Sequence, residues 1–309
     1  MTPVSGNVVA IMGATATGKS RLAMRMAEKF DGEIVSMDSR QVYRGLDIGT
    51  AKVSSEDRVR VRHHLIDILD PSESNSAGRH IGLVKQALEH ITARSRLPIL
   101  VGGTGLYFRA FFHGLIDAVI PDEEIDSIRR KLAGETTSAL YDELVRVDPK
   151  RAGQLSANDR LRISRALEIC FSTGKPFTQH TAEQHSPKRH HHLQIVLTMP
   201  RPVLRRRIAD RTREMFRQGW ASEVAGLLDT GFVADTPAMN SLGYRVIAEA
   251  ILDGVDAQST QDRVITLTQQ YAKRQETFFR SMPDAHWIDV SREDAESDIG
   301  QRIEKWMGL

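Results

Sequence analysis

Val8–Val9–Ala10–Ile11–Met12 runs directly into Gly13–Ala14–Thr15–Ala16–Thr17–Gly18–Lys19–Ser20, a short apolar run that breaks into a glycine-framed loop. The apolar run is β-branched and too short for a helix, so it reads as a strand. Leu22, Met26 and Ala27, spaced among charged residues, read as one face of the helix that follows. A glycine-framed loop that joins strand to helix in the spacing G-x-x-x-x-G-K-S is a phosphate-binding loop. Gly13 and Gly18 let successive backbone N–H groups turn toward an anion, and the helix N-terminus adds its partial positive charge. Lys19 reaches the outer phosphates, and the Ser20 hydroxyl is placed to ligate a Mg²⁺ ion bridging them. The site therefore binds a polyphosphate. The loop alone names neither the owner of the phosphates nor the reaction.

Outward from this loop, Glu33–Ile34–Val35–Ser36–Met37–Asp38 reads as a second strand ending in a carboxylate, followed by Ser39–Arg40–Gln41–Val42–Tyr43. Strand, helix, strand implies a parallel βαβ unit. Ligands of open α/β sheets sit beyond the carboxyl ends of the strands, so Asp38 is expected on the edge that carries the phosphate loop, as a functional carboxylate or as a cap. His63–His64 reads as polar surface rather than as a metal site, because adjacent side chains on a strand point apart. Residues 77–95 carry Val84, Ala87, Leu88 and Ile91 at helical spacing and should cover the sheet. Pro98–Ile99–Leu100–Val101 is a third strand, running into Gly102–Gly103–Thr104–Gly105–Leu106–Tyr107. Its two glycines either admit a ligand close to the backbone or make a turn needing positive φ. Three strands thus end in polar, site-like residues.

Strand signals vanish from 121 to 188, where Ser138 to Val147 and Arg160 to Phe171 read as charged helices, and they return at Leu193 to Met199. The expected organisation is a core domain of 1–120 and 189–309 interrupted by an all-helical insertion, 121–188, able to act as a lid. His190–His191–His192, beside Lys188 and Arg189, reads as a solvated linker tract. In the arginine-rich helix after residue 200, Leu204, Ile208 and Met215 share their stripe with Arg211. An inward guanidinium needs a partner, either an acidic side chain or the bound polyphosphate. Residues 260–282 form a long helix with Val264, Leu267, Tyr271 and Phe278 on its core face; Lys273, Arg274 and Arg280, next to Gln275, suit either solvent or a nucleic-acid backbone. A last strand is expected at 285–290, then an amphipathic helix. The fold class is α/β: a P-loop NTPase-like parallel sheet flanked by helices, with the helical insertion.

With 309 residues, 40% of them hydrophobic, the chain can bury a sizeable core. Its 42 Lys and Arg nearly balance 40 Asp and Glu, so attraction to a polyanion has to come from local patches rather than from the net charge of +2. The single cysteine, Cys170, excludes a disulfide framework and reads as a buried core thiol. No basic segment precedes the first apolar run and that run cannot span a bilayer, so a cytoplasmic protein without a membrane partner is expected, as a monomer.

Taken together, the phosphate loop at Gly13 to Ser20, Asp38–Ser39 with Val42–Tyr43, Leu46–Asp47–Ile48–Gly49–Thr50–Ala51–Lys52, Gly102 to Tyr107, Arg165–Ala166–Leu167–Glu168, Gly243–Tyr244–Arg245 and Lys273–Arg274–Gln275 with Phe279–Arg280 resemble the tRNA dimethylallyltransferase family, also called tRNA isopentenyltransferases. The resemblance runs over nearly the whole chain. It implies transfer of a dimethylallyl group from dimethylallyl diphosphate to N6 of the adenosine beside the tRNA anticodon, with Mg²⁺ as cofactor. It also implies that the loop stabilises a leaving diphosphate rather than a transferred phosphoryl group. On this likeness Asp38 is the base, Lys19 and Arg211 neutralise the diphosphate, Ser20 holds the metal and Thr104 orients the nucleotide. Asp38, Ser39, Arg40, Gln41, Thr104, Arg162, Ile163, Ser164, Arg165, Ala166, Lys273, Arg274, Gln275 and Arg280 face the anticodon stem-loop, whose target base flips into the pocket. Leu161 stands where the family often has glutamine. Two alternatives share the loop: prenylation of free adenine nucleotides, and a small-molecule kinase.

Overall fold

The structure is a computed structural model that describes residues 7–114, 122–183, 191–282 and 284–309. The expected edges of the insertion, at 121 and 188, and His190 of the histidine tract lie outside the described residues. Two compact units divide the chain, Met1–Ala110 with Arg189–Leu309 and Phe111–Lys188.

In the first unit, β1 (Asn7–Gly13) is apolar on both faces from Val8 to Met12, which suits a central parallel strand. After it come α1 (Lys19–Lys29), β2 (Gly32–Ser36), α2 (Ser55–Arg60), β3 (His63–His64), α3 (Ala77–Ala93), β4 (Leu97–Gly102) and the start of α4 (Gly105–His113). The described strands form a six-stranded sheet, order β3-β2-β4-β1-β5-β6 once β5 (His191–Thr198) and β6 (His286–Asp289) are added, and every pairing is parallel. One face packs Val9, Ile11, Ile34, Ile99 and Ile195 against Ala23 and Met26 of α1 and against Ile299 and Ile303 of the last helix, Ala295–Met307. Parallel strands aligned in this way bring the ends of β1, β2 and β4 to one edge, where Gly13–Ser20, Asp38 and Thr104 follow them.

The second unit, reached through α4, holds α5 (Asp122–Ala133), α6 (Thr137–Val147), α7 (Pro149–Ala152), α8 (Arg160–Thr173) and α9 (Phe177–Glu183). Thr136, Asp148 and Asp159 cap α6, α7 and α8 through their side chains. Its core is Leu132, Leu140, Leu144, Ile163, Ala166 and Leu167. The first unit resumes after β5 with α10 (Arg201–Arg217), α11 (Trp220–Asp229), α12 (Leu242–Asp253) and α13 (Ala257–Phe279). Beyond β6, the final helix becomes α14.

His63 and His64 are not surface polar groups. They form β3 beside Ile34 and Val35, half-buried, with His64 Nε2 2.7 Å from Glu33 Oε2 and His63 Nδ1 2.7 Å from the Val61 carbonyl. Arg94 donates to both oxygens of buried Glu33, at 3.0 and 2.7 Å. Burial would raise the Glu33 carboxyl, but the hydrogen bonds from Arg94 and His64 hold it below the usual range. His64 is missed by hydrophobic pattern because what orders it is one buried carboxylate. Cys170 is buried, and among the described residues no group of three or more His, Cys, Asp or Glu is arranged to hold a metal ion.

Candidate active site

The phosphate loop turns from β1 into α1 with Gly18 at φ 92°, left-handed and open only to glycine without strain, at the helix N-cap. Lys19 Nζ donates to the Ala14 carbonyl at 2.6 Å and so curls back over the loop, while buried Thr17 donates its hydroxyl to the same carbonyl at 2.8 Å. Among the described hydrogen bonds the amides of Ala16, Gly18, Lys19 and Ser20 have no acceptor, which leaves them to an anion. The Thr15 amide is different: it donates to Gln275 Oε1 at 2.9 Å.

Gln275 therefore departs from the expected role on a tRNA-facing surface. It is 7% exposed, and besides holding Thr15 it donates through Nε2 to the Gly103 carbonyl at 2.9 Å, tying α13 to both loops at once. The two glycines before Thr104 answer to the same packing. A Cβ at Gly103 would come within 2.3 Å of the Gln275 amide and one at Gly102 within 2.1 Å of the Met37 carbonyl, so protein rather than ligand makes the close approach.

Asp38 follows β2 and lines the pocket, but it caps no helix: residues 39–45 form turns, and the next helix is α2. Its Oδ1 accepts from the amides of Arg40 at 2.8 Å and Gln41 at 3.3 Å, while Oδ2 has no partner among the described hydrogen bonds. Thr104 supports this turn by accepting from the Ser39 amide at 3.2 Å. Behind it, His80 is fully buried, donates from Nε2 to the Ser36 carbonyl at 3.0 Å and takes Asn75 Nδ2 at Nδ1. Burial pushes its pKa down to about 4, so the ring stays neutral and keeps both bonds.

Lys19, Ser20, Asp38, Arg211 and Gln275 line one cavity of about 120 Å³, whose remaining wall includes Ile34, Ala51, Val53, Ile66 and Val101. Cationic, polar (Ser36, Gln41, Thr50 and His63 among them) and apolar side chains thus share one cavity. Apart from Ala51, none of those apolar residues is signalled by a motif, since they gather from β2, β4 and two loops. Arg211 lies on the inward stripe of α10 with buried Leu204, Ile208 and Met215, and it has no ion pair among the described residues. Burial lowers its pKa, opposed by the charge of Asp38. Lys19 falls to about 7 through burial first and the neighbouring Arg211 second, again against Asp38. Two crowded, poorly solvated cations facing a row of open amides make a site short of negative charge. The Ser20 hydroxyl, on the cavity wall and without a described partner, is a hard oxygen donor of the kind Mg²⁺ takes, with the rest of its shell to come from phosphate and water.

Other expected contact residues divide by burial. Ile163 and Ala166 are fully buried in the second unit's core and cannot touch a polynucleotide; the spacing that makes α8 a helix puts them on its inward face. Arg162 and Arg165 are exposed, paired with Asp159 and Glu168, with Ser164 half-buried between them, and Leu161 is 83% exposed. Arg40 is committed to the carbonyls of Pro237 and Asn240 at 2.8 and 2.9 Å. On α13 Lys273 and Arg274 are exposed, Arg274 lying over the Tyr271 ring, and just beyond its end Arg280 pairs with Glu276.

Residues 41–282 match the family model described as IPP transferase, and residues 6–75 match that described as isopentenyl transferase. The chain is 39% identical over 289 residues to a tRNA dimethylallyltransferase of Desulfosudis oleivorans, covering 93% of this chain and 92% of that one. Among solved structures it resembles the full-length tRNA isopentenylpyrophosphate transferase of Bacillus halodurans, with 36% identity, TM-score 0.72, and 98% and 97% of the two chains covered. It also resembles a eukaryotic dimethylallyltransferase acting on tRNA, with 28% identity, TM-score 0.83, and 96% and 77% covered. Matched by that family model over residues 41–282 and by these relatives along most of its length, the chain belongs to the IPP transferase family, that of the tRNA dimethylallyltransferases.

Proposed function

We propose that this enzyme transfers a dimethylallyl group from dimethylallyl diphosphate to N6 of the adenosine adjacent to the anticodon in tRNA, releasing diphosphate. The observation that carries the reading is a single cavity lined both by the phosphate-loop cations and by apolar side chains. The open loop amides, Lys19 and Arg211 suit a diphosphate, and Ile34, Val53, Ile66 and Val101 suit a branched hydrocarbon. A kinase binding a nucleoside triphosphate has no use for an apolar wall beside its outer phosphates.

In the reaction the bond between the allylic carbon and the diphosphate oxygen breaks as the carbon–N6 bond forms, and the electron pair leaves with diphosphate. Lys19, Arg211 and the loop amides stabilise the charge that develops on the leaving oxygen. The free Oδ2 of Asp38 takes the proton that N6 loses, while Oδ1 stays anchored to Arg40 and Gln41. Thr104, through the Ser39 amide, keeps that carboxylate aimed. Ser20 would hold Mg²⁺, which when bound offsets further charge on the diphosphate. Exposed Arg162, Arg165, Lys273, Arg274 and Arg280 supply the cations that a tRNA backbone calls for. Such a substrate puts the enzyme in the cytoplasm; among the described residues no helix is long and apolar enough to cross a membrane.

The test is incubation of labelled dimethylallyl diphosphate with bulk unmodified tRNA and, separately, with AMP, ADP and ATP. Label in tRNA alone is expected. Efficient labelling of free nucleotides would favour the adenylate branch, and phosphoryl transfer from ATP the kinase.

A further inference from the structure

On the transfer reaction proposed above, we infer that Glu223 is a positioning residue, moulding with Trp220 and Tyr244 the Asp47–Lys52 loop that walls the cavity and thereby holding Asp38 in place. None of the three lines the cavity.

Glu223, in the first turn of α11, takes three consecutive amides of a loop some 175 residues earlier in the chain. Oε2 accepts from Asp47 at 3.0 Å and Ile48 at 2.7 Å, and Oε1 accepts from Gly49 at 3.4 Å and from the Tyr244 hydroxyl at 2.5 Å. The Tyr244 oxygen in turn accepts from the Gly49 amide at 3.1 Å. Successive amides converging on an anion form a nest, and here the anion is the protein's own carboxylate.

Trp220 sets the shape. Its indole fills the space that side chains at Gly49 and Gly243 would need: a Cβ at either would come within 2.1 Å of the ring. The ring is buried, and its Nε1 finds no hydrogen-bond partner, so it is held for fit against the two glycines rather than for polarity. The sequence blocks Asp47–Lys52 and Gly243–Tyr244 are therefore two halves of one contact.

From the mould the constraint passes to the base. Thr50 and Ala51 line the cavity, and their carbonyls accept from Gln41 Nε2 at 3.2 and 3.4 Å. The Gln41 amide donates to Asp38 Oδ1. Lys52 closes the loop from the other end, donating to the Tyr43 carbonyl at 2.8 Å and pairing with Asp47 and Asp67. Release of Asp47–Gly49 would leave the Gln41 side chain with Ser36 as its remaining partner, loosen the backbone amide it gives to Asp38 and let the carboxylate drift, while the diphosphate-binding residues on β1, α1 and α10 would stay in place.

The test compares Glu223→Gln and Tyr244→Phe with wild type in the full chain, well below their melting temperatures. The readouts are kcat for dimethylallyl transfer to tRNA, the Kd for dimethylallyl diphosphate, and hydrogen exchange of the 46–52 segment. Glu223→Gln should lower kcat about a hundredfold, the scale of a roughly 1 Å misplacement, with diphosphate Kd within about twofold of wild type and faster exchange at 46–52. Tyr244→Phe keeps the ring packing, loses only the hydroxyl, and should fall between; it carries the test alone if the glutamine variant does not fold. Faster exchange with unchanged kcat would overturn the inference, as would loss of diphosphate affinity in step with kcat, which marks a general structural role. A wild type that makes no prenylated tRNA would overturn the reading on which the inference rests.

Discussion

Raising the pH from 7 to 9 should weaken binding of dimethylallyl diphosphate to the metal-free protein by about fiftyfold, and Lys19 is the cause. Without ligand, burial and Arg211 bring its ammonium down to about 7, far below the ordinary value of 10.5. A bound diphosphate favours the charged form, so complex formation above pH 7 must take up a proton. Apparent Kd then scales as 1 + 10^(pH − 7), which gives a factor of about 2 at pH 7 and about 100 at pH 9. Calorimetry in buffers of different ionisation heat reads the uptake directly, about half a proton at pH 7 and about nine-tenths at pH 8. Lys19→Met supplies the control that removes the ligand's own titration: its affinity should be lower at pH 7 and free of the excess slope. Arg211→Met should shift the wild-type curve to higher pH, because Arg211 is one of the two causes that depress Lys19. The same depression makes the empty protein gain stability from this residue as pH rises from 7 toward 10.5, since unfolding there takes up a proton. Equal slopes for wild type and Lys19→Met between pH 7 and 9 would refute the reasoning.

Asp38→Asn retains an oxygen for the Arg40 and Gln41 amides but no base, so turnover should fall by roughly 10²–10⁴-fold with diphosphate affinity unchanged; a near-normal rate would leave Asp38 only a residue that orients its turn. Arg211→Met removes a buried cation that has no ion pair among the described residues, and should hold or raise the melting temperature of the empty protein. It should also cost about 1.5–3 kcal/mol of diphosphate binding; a lower melting temperature with unchanged affinity would instead reveal an acidic partner. Reversing exposed Lys273 and Arg274 to Glu should raise KM for tRNA and flatten its salt dependence, with diphosphate Kd unaffected. Indifference of tRNA KM to both salt and charge would remove α13 from the tRNA surface.

Features whose chemistry is confined to neighbouring residues are legible along the chain. A backbone cradle for phosphate has to be contiguous, so Gly13–Ser20 reads off directly, and the parallel sheet follows from β1, α1 and β2 in succession. Asp38 and Arg211 were legible for a similar reason, one closing a strand and the other sharing a stripe with Leu204 and Ile208. Contacts between residues far apart in the chain emerge only on folding. Gln275 bonds Thr15 across 260 positions and Gly103 across 172, and no local pattern separates that clamp from an exposed glutamine among lysines and arginines. The same holds for Glu223 and the loop it captures, for the apolar wall assembled from Ile34, Val53, Ile66 and Val101, and for His64 beside Glu33. Ile163 and Ala166 stand between the two cases: their helical spacing was visible, but which side of α8 faces the core is fixed by packing against Leu140 and Leu144, because burial is a property of the assembled unit and not of the segment.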